Sequence, residues 1–264
     1  MSINTSNIFD SAAEAYDNTF THSVIGKAQR KRVYHWLNKV DFFNEKNKIF
    51  EINCGTGFDA EQIHNKGLQI VATDGSGKMI EVAKEARSTE IDFFKLQFSE
   101  VAKDEKFKQS TILFSNFGGL NCLSKTELKG FTKDIAEVQT KGDLIAWVIM
   151  PDQCMMESFY FLLKFKFKKV FRRKQNESLK VNVDGVDVET YYHSPYDLKE
   201  VLGDKYRVEL TKPVALFLPP SYLESFFKKN KFLLKVLELL EKMFGWISFY
   251  SNFGDHYIII ARRL

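Results

Sequence analysis

The residues with the clearest chemical potential lie in one stretch, Glu51-Ile52-Asn53-Cys54-Gly55-Thr56-Gly57-Phe58-Asp59-Ala60. An acid inside an apolar run precedes a turn holding two glycines, and a helix-like segment follows. Gly55 and Gly57 can take positive φ and bring the backbone close to a ligand, and the N-terminus of the following helix favours phosphate-like or nucleotide-like groups. Taken alone, Gly55-x-Gly57-x-x-Ala60 fits a dinucleotide fingerprint as well as it fits any other nucleotide-like ligand. Asp59 reads either as a site residue or as a first-turn acid facing the helix dipole. A second acid, Asp74, closes the next apolar run, Leu68–Asp74.

Groups able to move a proton are less clearly marked. His193 follows Tyr191 and Tyr192; it is a candidate base for an acceptor hydroxyl, or a residue satisfying the turn before a helix. Tyr16 and His22 lie ahead of the glycine stretch, where they either close over a ligand or pack. His35 and His64 fall on helix faces, and His256 opens the last strand in a structural role. No histidine has metal-ligand spacing to a second His, Cys or acid, so no metal is expected. Cys54, Cys122 and Cys154 lack paired spacing and read as reduced thiols of a cytoplasmic protein.

These residues need a scaffold, and the chain supplies one by alternation. Strands are expected at Lys48–Asn53, Leu68–Asp74, Ile91–Phe98, Ser110–Asn116 and Leu144–Met150, the last stopped by Pro151. Helices are expected from Ala60 to Lys66, Gly75 to Arg87 and Lys125 to Gln139. Apolar strands alternating with helices indicate a parallel sheet covered on both faces, an α/β fold. A helical lead-in from Asn7 to about Asn44 precedes it, with Tyr16-Asp17, Phe20 and Gln29-Arg30 as candidates to fold over a ligand. After Pro151 come a hairpin, Leu179–Val183 and Val186–Tyr192 around Asp184-Gly185, and a helix capped by Ser194 with Pro195 at its first position. A strand at Tyr206–Phe217, a helix at Ser221–Phe244 and a buried strand at His256–Ala261 complete the chain.

The chain has 264 residues, 44% hydrophobic and 27% charged, enough for one α/β domain with insertions. Its net charge of +4 is too mild to imply nucleic acid. Residues 1–6 lack the basic and apolar regions of a secretory signal, and no apolar run is long enough to span a bilayer.

Together these motifs resemble the S-adenosylmethionine-dependent methyltransferases of Rossmann-like fold. Glu51 to Gly57 resembles that family's first motif, with Asn53 standing where the family usually has its first glycine. Asp74 resembles its ribose-binding acid, Gln97-Phe98 its adenine contact, and Ser115-Asn116-Phe117 its fourth-strand motif facing the transferred methyl. The resemblance is closest to small-molecule members similar to ubiquinone- and biotin-pathway methyltransferases. It implies a seven-stranded, mostly parallel sheet with helices on both faces and two capping insertions. As a single domain it divides into a lead-in (1–46), a sheet core (47–151), a cap (152–193) and a C-terminal completion with an inserted helix (194–264). The implied cofactor is S-adenosylmethionine, bound by Tyr16, Glu51, Asn53, Gly55, Gly57, Asp74, Gly75, Met79, Gln97, Phe98, Ser115, Asn116 and Phe117. His193 and Tyr16 are the candidate catalytic groups.

The implied activity is methyl transfer to a small hydrophobic acceptor by in-line attack, with oxygen preferred over carbon and nitrogen. Two other classes stay open. An NAD-dependent oxidoreductase is disfavoured by the long lead-in and by the absence of a Tyr-Lys or His-Asp pair. A non-catalytic binding or membrane-surface protein is suggested only by Asn53. The aromatic and basic stretch Phe159–Arg173 suits nucleic acid, an anionic membrane surface, or a lid with an apolar inner face and a solvated charged outer face. Its place after the fifth strand favours the lid, and no nucleic-acid partner is expected. Peripheral membrane contact through 157–173 stays open.

Overall fold

The computed structural model describes residues 10, 13–175, 177–183 and 186–264. The expected turn at Asp184-Gly185 therefore lies outside the described residues, as does the start of the lead-in. In chain order the helices are α1 (Ala13–Tyr16), α2 (Val24–Leu37), α3 (Phe58–His64), α4 (Gly77–Ala86), α5 (Phe98–Val101), α6 (Glu105–Lys108), α7 (Lys125–Val138), α8 (Met155–Leu163), α9 (Pro195–Leu202), α10 (Glu224–Lys229) and α11 (Lys231–Phe244). The strands are β1 (Lys48–Ile52), β2 (Gln69–Asp74), β3 (Asp92–Lys95), β4 (Ile112–Ser115), β5 (Leu144–Ile149), β6 (Leu179–Val183), β7 (Val186–Thr190), β8 (Tyr206–Val214) and β9 (His256–Arg263).

Seven strands form one sheet in the order β3-β2-β1-β4-β5-β9-β8, and β6 pairs with β7 in a separate hairpin. β1 to β5 pair in parallel, while β9 runs antiparallel to both β5 and β8. Side chains alternate across a strand, so each buried strand feeds two cores. Ile49, Ile112, Phe114, Ala146, Val148, Ile258 and Ile260 pack on the face that also receives Val33, Trp36 and Leu37 of α2 and Ala60 and Ile63 of α3. Phe50, Leu113, Ile145, Trp147, Tyr257 and Ile259 pack on the other, with Leu128, Phe131 and Ile135 of α7 and Leu198 and Val201 of α9. Burial on both faces explains why these strands read as unbroken apolar runs.

The expected α/β architecture, seven strands included, is the observed one. Ser194 caps α9 as expected, accepting the Asp197 amide, with Pro195 in the first turn. Three element expectations are corrected. The third strand ends at Lys95 rather than Phe98, because the chain turns at Gln97 and Glu100 Oε2 accepts the Gln97 amide at 2.8 Å to start α5. The eighth strand stops at Val214 rather than Phe217, because Ala215 enters the left-handed region at φ 62° and turns its amide to Glu241. The long C-terminal helix is broken at Asn230, whose side chain donates to Phe226 O at 2.8 Å and competes with the helical ladder. Most other boundaries move by a residue or two at element ends. The lead-in is helical in pieces, with a π-helical turn (Asp17–Thr21) joining α1 to α2.

Candidate active site

The carboxyl ends of β1, β2, β4 and β5 face a cavity of about 520 Å³. Its position, where the strand order reverses between β1 and β4, is where open α/β sheets bind ligands, and its size falls in the ~300–1,000 Å³ range of small-molecule sites.

One half is built by the glycine loop and the strands beside it. Asn53 follows β1 at φ 56°, Gly55 sits at φ 54° and Gly57 at φ 74°. Asn is the ordinary residue best able to hold a left-handed conformation, so Asn53 adopts the backbone that a glycine would supply. Its Nδ2 donates to Ser115 Oγ at 3.1 Å, tying the β1 and β4 ends together. It also packs on Gly119, where any Cβ would come within 2.4 Å of Asn53 Cβ. A Cβ on Gly57 would strike the Phe93 ring at 2.6 Å. The Gly55 amide donates to Asp74 Oδ2 at 2.9 Å and the Ser76 amide to Asp74 Oδ1 at 2.8 Å, fixing the carboxylate at the cavity wall. Burial raises the Asp74 carboxyl above its ordinary range, and these amide bonds oppose the rise.

Gly75, Met79, Gln97, Phe98, Asn116 and Phe117 line the same space, and Gln97 Nε2 donates to Gly75 O at 3.0 Å. Tyr16 closes it from the lead-in. Burial pushes the Tyr16 hydroxyl up to about 12, so it is a neutral donor rather than a base. Asp17 anchors this lead-in, accepting Thr56 Oγ1 at 2.5 Å and pairing with Arg87. Asp10 likewise accepts Ser76 Oγ.

Three nominated cofactor residues, Gly57, Ser115 and Glu51, stand off this wall, Gly57 against the Phe93 ring. Ser115 is fully buried behind Asn53. Glu51, 1% exposed, faces a small neighbouring cavity shared with Tyr16, Gly55 and Asn116. Its Oε2 has no hydrogen-bond partner. Burial pushes the Glu51 carboxyl well above its usual range, with Asp59 adding to the rise and Arg30 opposing it. Asp59 is more than a first-turn acid, since it is buried and accepts Arg30 Nε at 2.9 Å, Tyr34 Oη at 3.1 Å and Asn116 Nδ2 at 3.0 Å. Arg30 thus lies beneath the loop, against the Phe58 and Phe117 rings.

The other half is built by the insertions, and it carries residues that sequence reasoning passed over. Arg172 forms a bidentate pair with Glu157, both contacts at 2.8 Å. Arg173 contacts Glu157 Oε2 at 3.1 Å and Asp255 Oδ1 at 2.7 Å. Asp255 Oδ2 lies 3.3 Å from His256 Nδ1, within ion-pair distance but without hydrogen-bond alignment. Glu157, Arg172, Arg173, Asp255 and His256 all line the cavity, with Val181 and Val188 of the hairpin and Tyr192. His256 meets the Phe117 ring edge-on at 5.6 Å.

The inner face of Phe159–Arg173 holds the expected apolar Phe161, buried under Arg172, but meets the cavity through Arg172 and Arg173, so its charge is not all outward. Glu157 and Arg173 point in and neutralise each other, while Phe159, Phe165, Phe167 and Phe171 point out. His193 is away from the cavity. Its Nε2 lies 2.8 Å from Leu123 O, its amide donates to Met150 O, and burial lowers its pKa. The signal for the overlooked Asp255–His256 pair was Gly254-Asp255-His256. A Cβ on Gly254 would come within 2.5 Å of His256 O and 2.8 Å of Val214 O, so glycine is needed where β8 and β9 converge and seat the pair.

The donor set fits S-adenosylmethionine. Asp74 is a fixed acceptor at the cavity wall, the glycines leave space that side chains would fill, and the orphaned Glu51 oxygen suits an ammonium group.

Residues 49–142 match the family model described as a methyltransferase domain. No curated protein matches the sequence. Among solved structures, magnesium protoporphyrin IX methyltransferase (ChlM) from Synechocystis PCC 6803 with bound SAH is 13% identical, covering 98% of each chain at a TM-score of 0.59. The DhpI–SAH complex is 14% identical over 98% of this chain and 95% of that one, at a TM-score of 0.58. An S-adenosylmethionine dependent methyltransferase from Mesorhizobium loti is 12% identical over 89% and 98%, at 0.55. Residues 49–142, which hold the glycine loop, thus match a methyltransferase domain, and the chain shares its fold with these methyltransferases. The dinucleotide reading of the glycine pattern falls away.

Proposed function

We propose that the protein methylates a small, hydrophobic acceptor that enters between the hairpin, Tyr192 and the Glu157–Arg173–Asp255 cluster. The observation that carries this is one continuous cavity walled by the glycine-loop residues and Asp74 at one end and by the insertions at the other. When bound, S-adenosylmethionine supplies a methyl group already activated on a sulfonium. Asp74 accepts hydrogen bonds from hydroxyl groups, and its charge makes such bonds stronger than neutral ones. Glu51 stabilises an ammonium group, and Tyr16 closes the cofactor end as a neutral donor. Val181, Val188 and Tyr192 exclude water from the acceptor and fix its approach. Positioning of this kind can supply up to roughly 7–11 kcal/mol of barrier reduction.

His256 takes the proton of a hydroxyl acceptor. The charge of Asp255 Oδ2, 3.3 Å from Nδ1 but not aligned as a hydrogen bond, favours the ring proton on that nitrogen and leaves Nε2 to accept. Arg173 holds Asp255 in turn. Oxygen is accordingly the favoured acceptor atom over carbon or nitrogen. The test is incubation with methyl-labelled S-adenosylmethionine and a panel of phenols, quinones and lipids. Label should pass to a hydroxyl of an apolar member. Cofactor binding with no transfer to any member would refute the acceptor class proposed.

A further inference from the structure

The outer surface of the two insertions is the reverse of an ordinary soluble surface. Helix α11 is pinned to the body by one face, where Leu234 is buried and Glu241 accepts the Ala215 and Phe217 amides. Opposite that face, Phe232, Val236, Leu239 and Met243 recur at helical spacing and are all exposed, Phe232 at 82%. Lys231, Lys235 and Lys242 form an exposed row beside them. The segment after β5 repeats the pattern: Phe159, Leu163, Phe165, Phe167 and Phe171 are exposed among exposed Lys164, Lys166, Lys168 and Lys169. Phe165 is 80% exposed and held at φ 55°, a left-handed conformation that a bulky residue adopts only at a cost. Residues 158–174 contain no acid. Both insertions also wall the cavity, through Arg172 and Arg173 on one side and Pro220 and Ser221 on the other.

We propose that this surface seats on an anionic lipid bilayer. An apolar stripe flanked by lysines is the pattern of a helix lying in the membrane interface, with its rings among the acyl chains and its ammonium groups at the headgroups. Charge weighs against a second copy of the chain as occupant, because self-association through these faces would bring together Lys231, Lys235, Lys242 and the lysines of 164–169 with Glu238 as the acid within the α11 row. Trp246, 60% exposed just beyond α11, is a residue type that favours such an interface. Seated this way, the cavity mouth lies near the bilayer.

The test is sedimentation of the full chain with vesicles of phosphatidylcholine alone and of phosphatidylcholine with phosphatidylglycerol. The protein should pellet with the anionic vesicles at low salt and release as salt rises. Each lysine among 164, 166, 168 and 169 changed to Gln should lower partitioning about fivefold. Phe165→Ser with Phe232→Ser should weaken binding even to fully anionic vesicles, and all these exposed changes should leave the melting temperature and S-adenosylmethionine binding as in the parent. Equal pelleting with neutral vesicles, no pelleting with either, or concentration-dependent dimers abolished by the two serine changes would each overturn the proposal. Because cofactor titration reads a separate site, failure of vesicle binding leaves the methyl-transfer reading standing, and the reverse.

Discussion

Replacing Asn53 tests the geometry of the glycine loop directly, because glycine and alanine at this position should behave in opposite ways. Asn53 holds φ 56° and donates to Ser115 Oγ. Asn53→Gly loses that hydrogen bond, a net loss of about 0.5–1.5 kcal/mol, and adds roughly 0.4–1 kcal/mol of unfolded-chain entropy. It also removes a Cβ from a left-handed residue, which returns about 1–2 kcal/mol. The sum lies within about 1.5 kcal/mol of the parent. Asn53→Ala loses the same bond but keeps a Cβ in the left-handed region without the local hydrogen bonding that helps Asn there, so it should fall below the glycine variant by that Cβ cost less the glycine entropy, about 0.8 kcal/mol from the middle of each range. For a chain of this length that is a difference of roughly 2–3 °C in melting temperature. Thermal unfolding of parent, Gly and Ala forms reads it, and the glycine variant should also keep cofactor affinity within a few fold. An alanine variant as stable as the glycine one would show that residue 53 is not left-handed and that the loop is misdescribed.

Three further outcomes follow from the buried charges. Glu51→Gln should raise the melting temperature of the ligand-free protein at neutral pH while weakening S-adenosylmethionine binding about 10- to 150-fold, the worth of a hydrogen bond to a charged group. The sign is fixed by the raised carboxyl: its protonated form is favoured in the fold, so stability is lost as pH climbs above the ordinary 4.5 towards the folded value, and the Gln advantage should vanish in acid. A Gln variant that melts lower at neutral pH would contradict this. His256→Ala should lower kcat by about 10²–10⁴ with a hydroxyl acceptor and leave cofactor binding unchanged; an unchanged kcat removes the histidine from the proton path. Against the opposing effect of burial, Asp255 is held below its ordinary range first by His256 and then by Arg173, and Glu157 by Arg172 and Arg173, so both contribute stability above that range that is lost as pH falls through the folded values. Arg173→Met removes the buried arginine partner of Asp255 while Arg172 still holds Glu157, and should cost about 3–5 kcal/mol at neutral pH, a loss that shrinks in acid; a pH-independent loss would show that packing alone is at stake.

Much of the scaffold was legible because it follows from local periodicity. Doubly buried strands produce apolar runs, and Asp74, the acid closing β2, marks where such a run meets the cavity. Ser194 and Pro195 announced α9 for the same local reason. What stayed hidden depends on pairing across long separations. Arg173 reads in sequence as one more basic residue among aromatics, and only contact with Glu157 and Asp255, 16 and 82 positions away, turns it inward. The outward turn of Phe165 and Phe167 is the counterpart of that inward charge. His256 looked like an ordinary strand opening because its role depends on Phe117 and the cavity beside it. Asn53, a departure from the family pattern, keeps the backbone of the glycine it replaces, which hydrophobicity and spacing do not report.

The central claim is that Asp74 and the glycine loop bind a sulfonium nucleoside. Isothermal titration of the parent and of Asp74→Asn with S-adenosylmethionine and S-adenosylhomocysteine measures it most directly. The parent should bind both, and the Asn form should bind at least about tenfold more weakly, a difference of about 1.4 kcal/mol or more. Heats indistinguishable from dilution for both ligands at about millimolar concentration, or equal affinity in parent and variant, would contradict the account.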